Sequence, residues 1–246
     1  MGLSVGVTLS GLGNASEECY FAALRQAGLE PVAIAPSASP EAIAAAVRST
    51  GGLLLSGGPD VHPSRYGEEV EGSEVNGAST LRDAMEFVAA AAADAAGMPI
   101  LAICRGAQVL NVHRGGALLQ DIGESHRDGR KQDEKWKPFH LVETDGASRL
   151  AEVLGSSAAE VNSRHHQAID PERAGEGIAI VARCPVDGIV EGIEGTDPRR
   201  FVLGVQWHPE NMAIGPEDTM ERAQARAIFE AFAAAVRERV GAASLG

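Results

Sequence analysis

The sequence has few cysteines, few basic residues and no long apolar runs, and each shortage argues against a class of protein. Three cysteines occur in 246 residues, and their odd number and wide spacing favour a reducing cytoplasm over a disulfide framework. The 21 basic residues stand against 34 acidic ones, and a net charge of −13 argues against nucleic acid or anionic membranes as partners. No apolar run is long enough to span a bilayer, and MGLSVGVTLSGLG lacks the basic start and apolar stretch of a signal peptide. We therefore expect a cytoplasmic protein with neither kind of partner.

Short apolar runs alternate with amphipathic segments through the first half of the chain. This rhythm predicts an α/β fold with a parallel sheet covered by helices on both faces. After residue 139 short strands separated by turns are expected, followed by a packing helix over 216–239. The segments contain no repeat or linker, so we predict one domain over 1–246. The predicted strands of the first half are 3–9, 31–35, 51–56 and 99–103, and its predicted helices are 15–28, 40–49, 79–97 and 105–114.

Two helix starts carry local signals. Ser39 is expected to cap a helix that has Pro40 at its first position, where the missing N–H of proline has no cost. Thr80 and Asp83 have the spacing of a capping box at the start of the long helix 79–97.

A cysteine lies where the predicted strand 99–103 becomes a helix. In PILAICRGAQVL, Cys104 is followed by Arg105, where the helix is expected to begin. Ligands of open α/β sheets bind beyond the carboxyl ends of the strands, and a helix N-terminus favours a thiolate. Gly106 removes a side chain where the turn passes close to neighbouring structure. Cys104 is therefore a candidate nucleophile, although most cysteines are simply small buried hydrophobic residues.

A candidate base follows the last predicted strand, RFVLGVQ. Pro209 restricts the backbone of His208, so the imidazole leaves the sheet in a defined direction. Glu210 can hold an imidazole N–H, fix its tautomer and stabilise the imidazolium. Together with Cys104, these residues predict a Cys–His–carboxylate site.

The segments AICRGAQVLNVHRGGALLQDI and GVQWHPE resemble the class I glutamine amidotransferase superfamily. LLLSGGPDVHPSRYGEE, LRDAMEF and VNSRHHQAI resemble its γ-glutamyl-γ-aminobutyrate (γ-glutamyl-GABA) hydrolase branch, and the match runs from about residue 5 to about residue 235. The resemblance implies a flavodoxin-like three-layer sandwich with a central, mostly parallel sheet and a nucleophile elbow. It also implies Cys104 as nucleophile, His208 as base and acid, and Glu210 as the orienting carboxylate.

Further roles follow from the same resemblance. It implies that the backbone N–H groups of Gly58 and Arg105 form an oxyanion hole, that is, two donors aimed at the tetrahedral oxygen. It also implies that Gln108, one helical turn beyond Cys104, contacts the glutamyl group and that His166 shapes the substrate pocket. From the residues alone, SGGPD is better explained as an ordinary turn, and Gln108 is equally well explained as a solvent-facing side chain.

Arg164 stands where relatives commonly have an apolar or aromatic residue. A guanidinium at the far end of the pocket would attract a leaving group that ends in a carboxylate, such as GABA, and would disfavour putrescine. We therefore count Arg164, with the loop Asp60–Tyr66, among the candidate substrate-binding residues. The alternative is an Arg164 side chain that points into solvent.

The histidines do not predict a metal site. His165 and His166 are adjacent, and neighbouring residues of an extended strand point to opposite faces, so the pair cannot easily chelate one ion. No cysteine or carboxylate completes a zinc spacing with them or with His62, His126 and His140. We therefore expect no metal and no other cofactor.

Three functions remain, in different classes. The first is a hydrolase that cleaves γ-glutamyl-GABA or a related γ-glutamyl amine and releases glutamate. The second is a glutaminase subunit that supplies ammonia to a separate synthase, and the third is a non-enzymatic binding or regulatory relative. The intact Cys104, His208 and Glu210 argue against the third, and the branch-specific segments favour the first. The expected partner is a small γ-glutamyl substrate, and assembly into a homo-oligomer is left open.

Overall fold

A nine-stranded sheet with helices on both faces forms the centre of the computed structural model, which describes residues 3–9, 15–36, 38–70, 77–127 and 134–243. The strands are β1 (Ser4–Thr8), β2 (Glu30–Ile34), β3 (Gly52–Leu55), β4 (Ile100–Ile103), β5 (Leu118–Leu119), β6 (His140–Thr144), β7 (Ala158–Val161), β8 (Ala168–Ile169), β9 (Ile178–Arg183), β10 (Val190–Gly195) and β11 (Val202–Val205). The helices are α1 (Ala15–Gln26), α2 (Pro40–Arg48), α3 (Thr80–Ala95), α4 (Arg105–His113), α5 (Arg149–Leu154), α6 (Pro209–Ala213) and α7 (Met220–Ala243), with a 3₁₀ helix over Pro63–Tyr66.

The sheet has a parallel half and an antiparallel half. Its strand order is β2-β1-β3-β4-β11-β10-β9-β6-β7. The first five strands are mutually parallel, and their order is that of flavodoxin-like sheets. The other strands pair antiparallel. The predicted flavodoxin-like α/β architecture is confirmed.

The two faces of the sheet bury separate apolar clusters. In β3, Leu53 and Leu55 belong to the cluster under α2, α3 and α4, whereas Leu54 belongs to the cluster under α1 and α7. All three side chains are completely buried, because successive residues of a strand point to opposite faces and helices cover both. This double burial explains why the parallel strands are continuously apolar. It also leaves the carboxyl ends of the strands as the edge where polar groups can gather.

The start of α2 follows its sequence signals. The Ser39 side chain accepts a hydrogen bond from the N–H of Ala42 at 3.2 Å, and Pro40 is the first helical residue. Both predictions are confirmed.

The predicted capping box of α3 is wrong. Ser79, not Thr80, caps the helix, and its Oγ accepts from the N–H of Arg82 at 3.3 Å. Asp83 turns inward instead, where its carboxylate contacts the buried guanidinium of Arg105. A buried cation is a stronger partner for a carboxylate than an exposed backbone N–H.

The second half contains elements that the sequence did not predict. Strands β5 and β8 form a separate two-stranded sheet, and α6 directly follows β11. Each is too short to show a periodic pattern. Among the helices of the described residues, none has the length and apolar character needed to cross a membrane.

Candidate active site

Cys104 stands at a sharp turn between β4 and α4. Its backbone has φ 52° and ψ −110°, and among the described residues it is the one non-glycine with positive φ. Such a conformation costs about 1–3 kcal/mol and persists only where the surroundings enforce it. Here the Cys104 N–H donates to the carbonyl of Val205 at 2.7 Å, which ties the turn to β11. The predicted elbow is therefore present.

Gly106 lets the elbow pack against the end of β3. A Cβ at this position would lie 2.6 Å from the carbonyl carbon of Leu55 and closer still to its oxygen. The obstacle is backbone, so no side chain can be accommodated by a rotamer change. The predicted close approach is confirmed, and it brings the loop after β3 beside Cys104.

His208 and Glu210 lie next to Cys104, beyond the end of β11. The His208 Nδ1–H donates to Glu210 Oε1 at 2.8 Å, a direction fixed by the carboxylate, which only accepts. Asn162 holds the backbone of His208 from both sides. Its Oδ1 accepts from the His208 N–H at 2.8 Å, and its Nδ2 donates to the His208 carbonyl at 3.0 Å. The Cys104 side chain lies near enough to the imidazole to act on its charge.

The surroundings of His208 favour its protonated form. Burial opposes the charge, but the carboxylate of Glu210 and the side chain of Cys104 outweigh burial and raise the pKa of His208 to about 9. Arg164 acts in the opposite sense and lowers this pKa. The protonated imidazole is the form that can give a proton to a leaving group.

The loop after β3 has no space for side chains at two glycines. A Cβ at Gly57 would lie 2.7 Å from the Tyr20 hydroxyl and 2.9 Å from His208 Cε1, and one at Gly58 would lie 2.7 Å from Arg82 Cζ. The N–H of Gly57 donates to the Tyr20 hydroxyl at 2.9 Å. Within the described ranges, no protein group accepts from the N–H of Gly58 or of Arg105. Both donors are therefore available, and their role as an oxyanion hole stays a prediction.

A buried ion network supports this loop from below. Arg82 donates to the Gly57 carbonyl at 2.7 Å, while its Nε donates to Glu86 Oε1 at 3.2 Å. The side chain of Arg105 contacts both Glu86 and Asp83, and all four charged side chains are at most 3% exposed. From the sequence, Arg105 was expected to act only through its backbone N–H. The four charged side chains of the network belong to two different helices, α3 and α4, so their contacts could not be predicted from residue spacing along one helix.

We expect Glu86→Ala to lower the free energy of unfolding by about 3–5 kcal/mol, because it leaves Arg82 and Arg105 buried without a shared carboxylate. Urea denaturation followed by circular dichroism measures the loss. Glu230→Ala, on the exposed surface of α7, is the control and should change stability by about 0.5 kcal/mol or less. A Glu86→Ala protein as stable as that control would show that the network does not stabilise the fold.

Gln108 is held inside the protein. Its side chain is 3% exposed, so the solvent-facing alternative is wrong. Its Nε2 donates to the carbonyl of Gln167 at 2.9 Å and to Gln206 Oε1 at 3.1 Å, and Gln206 Nε2 donates to Cys104 Sγ at 3.5 Å. Gln206, which the sequence analysis missed within GVQWHPE, thus contacts the thiol directly. A contact between Gln108 and the glutamyl group stays a prediction.

The other two candidate substrate-binding residues border the site. Arg164 Nη2 lies 3.9 Å from Glu210 Oε1, and its side chain is 18% exposed, so it does not simply extend into solvent. His166 Nε2 lies 2.8 Å from Asp60 Oδ1, and this pair links the segment after β7 to the loop after β3. Their roles toward a substrate stay predictions.

We expect iodoacetamide to alkylate Cys104 well before Cys19 and Cys184 in the native protein. Burial raises the pKa of both Cys19 and Cys184, which disfavours their thiolates, whereas the imidazolium of His208 lies beside Cys104. Peptide mass spectrometry after short reaction times measures the order. Equal labelling of the three cysteines would contradict a special environment at Cys104.

The chain is similar to known proteins both in fold and in sequence. The glutaminase domain of Trypanosoma brucei CTPS, solved with bound acivicin, shares the fold, with a TM-score of 0.66 at 15% identity over 96% of this chain and 94% of that one. Among sequences, "Putative glutamine amidotransferase Rv2859c" of Mycobacterium tuberculosis is 40% identical over 78% of this chain and 61% of its own length. Gamma-glutamyl-gamma-aminobutyrate hydrolase PuuD of Escherichia coli strain K12 is 32% identical over 91% of this chain and 87% of its own length.

These similarities define a protein of the glutamine amidotransferase-like class. The model of the peptidase C26 family matches residues 9–210, and the chain belongs to this family.

Proposed function

We propose that this protein hydrolyses the γ-glutamyl amide bond of γ-glutamyl-GABA or a related γ-glutamyl amine and releases glutamate. The observation that carries the proposal is the line of contacts from Cys104 through His208 to Glu210 at the carboxyl ends of β4 and β11. A thiol beside an imidazole that is hydrogen-bonded to a buried carboxylate supplies the parts of a nucleophile activated by an oriented base.

The reaction follows from this arrangement. The thiolate of Cys104 attacks the γ-carbonyl carbon, and the N–H groups of Gly58 and Arg105 bind the oxyanion of the tetrahedral intermediate. The imidazolium of His208 gives its proton to the leaving nitrogen as the C–N bond breaks, which leaves a γ-glutamyl thioester on Cys104. His208 then takes a proton from water, whose oxygen attacks the thioester. Glutamate departs, and the thiolate and imidazolium are restored.

The choice of substrate rests on similarity and on charge. The E. coli relative named for γ-glutamyl-GABA hydrolysis aligns with nearly the whole chain, whereas the alignment with the mycobacterial amidotransferase covers less than two thirds of that protein. Lys135 and Arg164 put two cationic side chains beside the site, which suits a leaving group that ends in a carboxylate. The mycobacterial relative, with its higher identity, favours glutamine as the competing substrate.

Turnover by the purified chain, with no other protein present, tests the proposal. We expect kcat/KM for γ-glutamyl-GABA to exceed that for glutamine by at least about tenfold, with glutamate and GABA formed in equal amounts. Faster turnover of glutamine would favour the glutaminase function. Absence of turnover with a panel of γ-glutamyl amines would contradict the hydrolase.

We expect Arg164→Leu to reduce the preference for γ-glutamyl-GABA over γ-glutamyl-putrescine by about tenfold, equivalent to about 1.4 kcal/mol. It should also move the alkaline limb of the pH–rate profile upward. Because Arg164 lowers the pKa of His208, its removal raises that pKa and keeps the imidazolium to higher pH. Arg164→Lys, which retains the charge, is the control. If the alkaline limb moved but the ratio of kcat/KM for the two substrates stayed the same, Arg164 would act on the pKa of His208 and not on substrate specificity.

A further inference from the structure

Three histidines surround one buried glutamate on the antiparallel side of the sheet. His126 Nδ1 and His140 Nε2 each lie 3.2 Å from Glu191 Oε1, and His165 Nε2 lies 3.4 Å from the same oxygen. Glu191, on β10, is 1% exposed, and the imidazole rings of His140 and His165 lie 4.7 and 4.8 Å from that of His126. We call these four residues the histidine–glutamate cluster. None of them belongs to the site around Cys104.

The polar atoms that face each other in this cluster lie at ion-pair distance without well-directed hydrogen bonds. His126 Nδ1, both ring nitrogens of His140, His165 Nε2 and both oxygens of Glu191 are buried. Buried polar atoms without good hydrogen bonds are rare in native proteins. A ligand shared by the atoms that face Glu191 would satisfy them together.

The outer hydrogen bonds of two rings show which of their nitrogens face Glu191. His165 Nδ1 lies 2.9 Å from the carbonyl of Gln167, which only accepts, so Nδ1 carries the proton. His126 Nε2 lies 2.9 Å from Asp187 Oδ2 and is protonated for the same reason. Each ring thus turns its second nitrogen, Nδ1 of His126 and Nε2 of His165, toward the Glu191 carboxylate. A divalent cation placed there would be bound by these nitrogens and by the carboxylate together.

We infer that the histidine–glutamate cluster binds a divalent transition-metal ion, with Zn²⁺ as the first candidate. His126, His140 and Glu191 each offer one ligand atom, and these atoms lie within 4.8 Å of one another. His165 Nε2 lies 3.4 Å from the same Glu191 oxygen, at the edge of this three-ligand group. Zinc bonds to nitrogen and oxygen are about 2.0–2.2 Å long, so neighbouring ligands of a tetrahedral ion lie about 3.3 Å apart. The three nitrogen–oxygen distances of 3.2, 3.2 and 3.4 Å fit this spacing.

The outer partners also fit a metal site. Ligating histidines commonly donate their second N–H to a carboxylate or a backbone carbonyl, which fixes the ring and its tautomer. Asp187 does this for His126, and the carbonyl of Gln167 does it for His165. Cys184 and Asp187 also form a possible ligand group with His126, but they approach Nε2, the nitrogen already paired with Asp187. The inner side, where the atoms without good hydrogen bonds lie, is therefore the metal side.

The ion would connect distant parts of the chain and stabilise the segment that supports His208. It would join the segment after β5, the start of β6, the segment after β7 and β10. Ser163 Oγ donates to the carbonyl of His126 at 2.7 Å, and the preceding residue, Asn162, holds the backbone of His208. We therefore assign a structural role to the ion, with no part in the hydrolysis itself.

Metal analysis of the untagged full chain tests this inference. We expect about one equivalent of zinc per chain after expression in zinc-supplemented medium and exhaustive dialysis. Zn²⁺ added to chelator-treated protein should raise Tm by about 5–10 °C when its free concentration is about 100 times its Kd. Co²⁺ in its place should give the intense visible bands of a tetrahedral site. These measurements use the wild-type chain, so they do not depend on any variant that folds poorly.

Variants then locate the ion. Glu191→Gln and His140→Ala should each bind less than about 0.2 equivalents and lose the Zn²⁺-dependent rise in Tm. His113→Asn is the control, because His113 pairs with Asp94 at 3.2 Å outside the cluster and should leave one equivalent bound. Wild-type protein that binds neither Zn²⁺ nor Co²⁺ would overturn the inference and leave the cluster held by protons. Binding unchanged in both cluster variants would place the ion elsewhere and would equally overturn it.

Discussion

Cys104→Ala is expected to abolish hydrolysis, with kcat/KM for γ-glutamyl-GABA lowered by at least about 10⁴-fold. Alanine keeps the backbone turn and removes only the sulfur atom that would attack the γ-carbonyl carbon. Because the change removes a single buried sulfur atom, we expect Tm to change by no more than a few degrees. Glutamate release by the purified variant, measured together with its thermal unfolding, checks both parts.

Cys184→Ala is the matched control for this experiment. Cys184 is as well buried as Cys104 but lies at the end of β9, away from His208, so its replacement should leave turnover within about twofold of wild type. Near-wild-type turnover in the Cys104→Ala protein would refute the assignment of the nucleophile. A loss of activity in both variants would point to a general effect on folding.

His208→Ala is expected to lower kcat/KM by about 10⁴-fold, whereas Glu210→Gln should lower it by about 10²-fold. The imidazole handles the proton in both half-reactions, while the carboxylate orients it and stabilises its charge. Glu210 also raises the pKa of His208, so its neutralisation lowers that pKa. The alkaline limb of the remaining Glu210→Gln activity should therefore move to lower pH.

Steady-state kinetics of the two variants across pH 5 to 10 distinguish these roles. If Glu210→Gln were the more damaging change, the assignment of base and orienting group would be wrong. An alkaline limb that stays in place would mean that the carboxylate does not control the charge of His208.

Local signals predicted the start of α2 and the turn at Cys104. Ser39 and Pro40 marked the start of α2, and the glycine two residues after Cys104 marked a close backbone approach. Both features could be predicted because the groups that each residue interacts with, or makes room for, lie at a turn or helix start only a few positions away. The same applies to the sequence His208-Pro209-Glu210, where a strand end, a restricted backbone and a carboxylate follow one another. Thr80 does not cap α3, and the carboxylate of Asp83 instead contacts the buried guanidinium of Arg105 in another helix.

The residues that sequence reasoning missed are held by partners far along the chain. Arg82 reaches the carbonyl of Gly57 across 25 positions, and Gln206 reaches Cys104 across 102. The histidine–glutamate cluster is the clearest case. The opposed directions of His165 and His166 were inferred correctly, since one ring faces Glu191 and the other faces Asp60. The opposed directions exclude only a metal ion held by His165 and His166 together. The histidine–glutamate cluster instead combines residues from distant segments of the chain, which the sequence pattern did not bring together.

The positive φ of Cys104 affects which substitutions this position can accept during evolution. Glycine adopts that conformation without strain. At residue 104 glycine would therefore favour the stability of the fold, whereas cysteine is required for turnover. In a lineage relieved of selection for hydrolysis but still selected for a folded chain, Cys104→Gly would be a stabilising loss of the nucleophile. Inactive descendants of this protein should therefore carry glycine at the elbow more often than other replacements, with the rest of the fold intact.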